Sequence, residues 1–92
     1  MKYIMFIQPG GQELPIIFPS GFEHAKVARM MSNTYPGIKT RSAGFIKFIP
    51  EVNPKTLLNR VNAVCYGKSE SLKLRYDEMD SSIIGMLTDI KD

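Results

Sequence analysis

The stretch "YIMFIQPGGQELPIIFP", residues 3–19, decides the fold. Two apolar runs rich in β-branched and aromatic side chains flank Pro9-Gly10-Gly11, which is the pattern of a β-hairpin. In the second run Leu14, Ile16 and Phe18 alternate and share one face. Pro15 has no amide hydrogen to give to a ladder, so this strand belongs at a sheet edge or at a bulge. A chain that begins with a hairpin starts an antiparallel sheet, and the remaining elements are read as additions to it.

Outward from the hairpin, Ser20-Gly21-Phe22-Glu23 has the S-x-x-E form of a capping box and predicts a helix start. At 100° per residue Val27, Ala28, Met31 and Tyr35 fall on one helix face, while Phe22, Lys26, Arg29 and Asn33 fall on the polar side. Pro36-Gly37 ends the run. Thr40 to Ile49 is extended, Pro50 to Asn59 suits a long connection, and Val61 to Tyr66 is the returning strand. Lys68 to Tyr76 fits either a fifth short strand or an irregular approach to the last helix. Asp77 can cap that helix, in which Met79, Ile83, Met86, Leu87 and Ile90 recur at helical spacing. The expected fold is α+β in the order ββαββα, an antiparallel sheet of about four strands with two helices packed on one face.

Ninety-two residues, 43% hydrophobic and 23% charged, make one globular domain, 1–92, near the lower size limit for a self-sufficient core. Self-association would help so small a core, and a homo-oligomer is one expectation. One cysteine, Cys65, excludes an internal disulfide and any zinc site built on paired thiolates. The apolar run Tyr3 to Ile7 is far shorter than a bilayer span or a secretory signal, so a cytoplasmic protein without membrane contact is expected. The net charge of +3 is unevenly spread: residues 1–76 carry eleven basic and four acidic side chains, residues 77–92 one basic and five acidic.

Gly67-Lys68-Ser69 has the last three letters of a phosphate-binding loop. Such a loop also needs a glycine five positions before Gly67, where Asn62 stands, and Ala63 to Tyr66 reads as strand rather than loop. The triplet is therefore expected to be a turn or strand end. His24, the single histidine, stands on the apolar helix face near Val27, Ala28 and Met31 and reads as a packed ring bonded to a backbone carbonyl. Cys65, on an apolar strand, reads as a buried filler thiol. No spacing of His, Cys, Asp and Glu matches a metal site. No catalytic residue, metal or cofactor is expected.

Arg41-Ser42-Ala43-Gly44-Phe45-Ile46-Lys47-Phe48 resembles the ribonucleoprotein octapeptide of RNA recognition motif domains. The resemblance implies single-stranded nucleic-acid binding with Arg41 and Lys47 at phosphates and Phe45 under a base, all three on one strand face. In this chain Ala43 takes the place of the family's first stacking aromatic, and a whole hairpin precedes the first helix. A small sheet also needs its aromatics for the core, so Phe45 is expected to pack beneath a helix.

Over more of the chain, the opening hairpin with "IIFPSGFEHAKVARMM", "SAGFIKF" and "CYGKSESL" resembles small proteins encoded by bacteriophages and prophages. That resemblance implies an accessory role exerted by binding, aimed at a host pathway. The function expected first is a non-enzymatic interaction protein with a protein partner, for which Phe22, Lys26 and Arg29 are the interface candidates. Binding of nucleic acid or a nucleotide through Arg41, Phe45 and Lys47 is the alternative.

Overall fold

A computed structural model of the chain describes residues 1–52 and 59–88. The opening hairpin forms as β1 (Lys2–Ile7) and β2 (Glu13–Phe18), in register from Lys2 opposite Phe18 to Ile7 opposite Glu13. Gly11 closes its turn at a φ of +86°, a left-handed conformation that glycine adopts without steric cost. Helix α1 (His24–Thr34) follows, then the long strand β3 (Lys39–Val52) and β4 (Asn59–Tyr66). A small hairpin of β5 (Lys68–Ser69) and β6 (Leu74–Arg75) precedes helix α2 (Glu78–Thr88). The main sheet is antiparallel throughout in the order β2-β1-β3-β4. Pro15 lies on an edge strand, opposite Met5.

The fold is α+β with a four-stranded antiparallel sheet and two helices, but the helices do not share a face. Ile4 and Phe6 of β1 pack with Phe18, Ala28, Ile38 and Ala43, and Val27 and Met31 of α1 join them. Tyr3 and Met5 of the same strand pack on the other side with Ile46, Ala63, Cys65 and Ile84 of α2. The expectation of two helices on one face overlooked the run Tyr3 to Phe6, whose four side chains all have 0% exposure. Consecutive apolar residues in a strand point to both faces, and each face must then be covered.

Local signals succeed and fail for identifiable reasons. Asp77 caps α2 as predicted, its Oδ1 accepting the Met79 amide at 2.8 Å. The capping box at Ser20 does not form, because the Phe22 amide donates to the Pro19 carbonyl and turns the chain before the helix begins. Glu23 is the N-cap residue without a side-chain cap bond, and Ser71 of the small hairpin supplies the missing acceptor to the Ala25 amide at 3.1 Å. Phe22 therefore precedes the helix instead of lying on its polar side. Tyr35 leaves the apolar face because α1 ends at Thr34, and Met79 is 60% exposed while Asp80 and Ile84 form the buried face of α2. The side chains of Met86 and Leu87, and Ile90 altogether, lie outside the described residues. The predicted connection 50–59 is shorter than expected, since strand pairing continues to Val52 opposite Asn59. The 68–76 segment resolves as the β5–β6 hairpin. Among the described residues no helix is long and apolar enough to cross a membrane.

Candidate functional site

A polar assembly occupies each face of the sheet. On the α2 face the Asp80 carboxylate, without exposed surface, accepts hydrogen bonds from Tyr3 Oη at 2.5 Å, Ser42 Oγ at 2.6 Å, Arg41 Nη2 at 2.6 Å and the Asp77 amide at 3.1 Å. Arg41 reaches on to Glu13 at 2.9 Å. Arg41 and Ser42 are consecutive, yet both serve the same carboxylate. The cause is a β-bulge: Met5 pairs with Ser42 and Phe6 with Thr40, which leaves Arg41 as the extra residue and re-aims its side chain. Burial, and then the bond to Asp80, raise the Tyr3 hydroxyl far above the ordinary tyrosine range, so it stays a donor. The assembly fastens α2 to β1 and β3 at every polar atom of one carboxylate.

The second assembly lies on the α1 face. Phe45 in β3 stands directly opposite Tyr66 in β4, their rings stacked with centroids 5.8 Å apart and 25° between planes. Just beyond, Gly67 turns at a φ of +75°, and a Cβ there would meet Phe45 Cδ2 at 3.0 Å, so glycine both makes the turn and leaves room for the ring. His24, the first residue of α1, sits edge-on between Phe18 and Phe45 at 5.5 and 6.0 Å. Its Nε2 lies 2.8 Å from the Gly44 carbonyl. A carbonyl only accepts, so Nε2 carries the hydrogen, and in the neutral ring Nδ1 is then an acceptor. Burial lowers the His24 pKa below its ordinary value, opposed by the Gly44 bond and reinforced by the charge of Lys2, so the neutral ring is the resting form.

His24, Phe45 and Tyr66 line an open cleft of about 620 Å³ whose rim carries Lys2, Glu23, Lys68 and Glu70. Lys2 Nζ donates to the Phe22 carbonyl at 2.9 Å, and Lys68 Nζ lies 3.5 Å from Glu70. Lys47 is exposed, its Nζ 5.8 Å from the centroid of Tyr66. Tyr66 and Ile49 are 44% and 45% exposed, so this end of the sheet face extends past the cover of α1.

Of the residues singled out for nucleic acid, the structure keeps Phe45 and Lys47 together and sends Arg41 through the bulge to Asp80 on the opposite face. Phe45 is half-buried: it packs on His24 and Tyr66 as a core aromatic would, and it also lines the cleft. Phe22, Lys26 and Arg29 are all exposed. His24 is the packed, carbonyl-bonded ring that the sequence suggested. Cys65 belongs to the α2-side cluster, so the sheet separates its thiol from His24, and burial raises the thiol pKa. Gly67-Lys68-Ser69 is a turn entering β5. No known protein family, curated protein or solved structure matches this chain. Sequence reasoning missed Tyr66, Lys2 and Asp80. Tyr66 could have been found by counting the β3–β4 register, which puts it across from Phe45; Asp80 carries no signal in a hydropathy pattern.

Proposed function

We propose that this chain is a non-enzymatic binding protein that takes single-stranded nucleic acid on the open face formed by Phe45, Tyr66 and Lys47. The observation that carries the reading is the stacked Phe45–Tyr66 pair beside an exposed lysine, at the edge of a cleft that α1 leaves uncovered. Aromatic side chains on a sheet face accept bases of any sequence, and a neighbouring cation meets the backbone. The rim charges of the cleft cancel in pairs, Lys2 and Lys68 against Glu23 and Glu70, so stacking supplies more of the affinity than phosphate contacts. The expected salt dependence is accordingly shallow, with a slope of about −1 for one or two phosphates neutralised. Fluorescence anisotropy of a labelled 12-nucleotide strand at low salt tests this: saturable binding that duplex DNA competes poorly is the expected result, and no binding refutes it.

A protein-docking reading has its own support in Phe22, which is 50% exposed ahead of α1 with Lys26 and Arg29 exposed on the helix. An accessory factor of the phage-encoded kind would act through such a patch. Affinity capture with nuclease digestion, repeated with Phe22→Asp, separates it from the first reading: partners lost with Phe22→Asp while oligonucleotide binding persists belong to this surface. Sedimentation measures the self-association expected of so small a core.

A further inference from the structure

We propose, resting on the nucleic-acid reading, that the cleft seats one unstacked nucleobase whose exocyclic amine donates to His24 Nδ1 while its ring lies against Tyr66 and Phe45. The volume of about 620 Å³ falls in the range of small-ligand clefts, and the rings of His24, Phe45 and Tyr66 line it within a rim of charged side chains and Ser71. His24 is 4% exposed, and its Nε2 is already committed to Gly44. Nδ1 has no partner among the described residues. An acceptor among aromatic rings that faces an open cleft is complementary to a flat ligand that brings an N–H donor, because the donor replaces the solvent that Nδ1 gives up as the ring is covered. Adenine, cytosine and guanine carry such an amine on their pairing edge, uracil offers only a ring N–H between two carbonyls, and a ligand with only acceptors there would oppose lone pair to lone pair. Lys2 and Lys68 on the rim stand where the sugar-phosphate leaves the cleft.

The burial of His24 and the nearby Lys2 both disfavour its protonation, so the ring keeps the acceptor that the base requires. Stacking provides the affinity, and Nδ1 favours a base whose edge presents an amine over the same ring without one.

The test places the change in the ligand, so the fold of the protein is not at stake. A labelled oligouridylate with a single central adenosine is compared with the same strand carrying purine riboside, which lacks only the 6-amino group. Removing the amine is expected to weaken binding about tenfold. Nitrogen-detected NMR of the His24 imidazole is expected to show Nδ1 entering a hydrogen bond with the adenosine strand alone, Nε2–H being unchanged. Equal affinities, or an Nδ1 signal that does not move, overturn the inference while the nucleic-acid reading stands. If neither strand binds, both readings fall and the cleft is left to a protein side chain.

Discussion

Replacing Asp80 with asparagine keeps the size of the side chain and removes its charge. Four donors converge on this carboxylate, and the atoms they reach have no access to water. Two of them, Tyr3 and Ser42, are hydroxyls that can rotate and accept from a carboxamide; the Asp77 amide and the Arg41 guanidinium can only donate. With hydrogen bonds to a charged group contributing about 1.5–3 kcal/mol each, and the hydroxyls recovering part of their share, Asp80→Asn is expected to cost about 3 kcal/mol. Arg41 keeps Glu13 at 2.9 Å and is 29% exposed, which holds the cost to the low end of the about 3–5 kcal/mol seen when a buried ion pair is broken. For a domain of this size the loss corresponds to a fall in Tm of about 12–24 °C. Urea titration followed by far-ultraviolet circular dichroism measures it, with Ser82→Ala on the exposed side of the same helix as the control. If Asp80→Asn stays within about 0.5 kcal/mol of the parent, the network does not fasten α2 and this account of the α2 face is wrong.

Three further outcomes follow from the same geometry. His24 is held below its ordinary pKa of 6.5, so the unfolded chain binds the proton more readily; its contribution to stability is complete above pH 6.5 and declines as the pH falls through the folded-state value. Urea midpoints between pH 7.5 and 5 are expected to show this loss, and the slope should flatten in His24→Gln. At Gly44 a Cβ would meet the Tyr66 carbonyl oxygen at 2.6 Å, so Gly44→Ala is expected to cost about 1–3 kcal/mol by forcing β3 and β4 apart; an unchanged melting temperature contradicts the close approach. Cys65 is 5% exposed and its thiol is raised by burial, so a disulfide reagent at pH 8 should label it only in denaturant, and rapid labelling of the native protein would place it at the surface.

Strand and helix content was legible where a single local pattern decided it. The hairpin followed from Pro9-Gly10-Gly11 between two apolar runs, the edge position of β2 from Pro15, and the start of α2 from Asp77. Signals that depend on distant partners were not legible. The capping oxygen of α1 comes from Ser71, far along the chain, so the S-x-x-E pattern at Ser20 named the wrong group. Alternation along Arg41 to Phe48 placed Arg41 with Phe45 and Lys47, and one extra residue in the β1–β3 ladder moved it to the other face. The helix periodicity of α2 could not mark Asp80 as a core residue, because its burial is supported by Tyr3, Arg41 and Ser42 rather than by its own hydropathy. For the site, Phe45 and Lys47 were visible as a basic-aromatic strand, while Tyr66, Lys2 and the free acceptor of His24 joined them only through the pairing of β3 with β4 and the seating of α1.

The central claim rests on Tyr66, the exposed half of the stacked pair. Tyr66→Ala removes a side chain that is 44% exposed, so the fold should hold, with unfolding midpoints close to those of the parent. Binding of a labelled 12-nucleotide single strand at low salt is then expected to weaken by about 1–3 kcal/mol, the contribution of one base stacked on an aromatic ring. An affinity unchanged by Tyr66→Ala in a folded protein, or no affinity in the parent, would contradict the account.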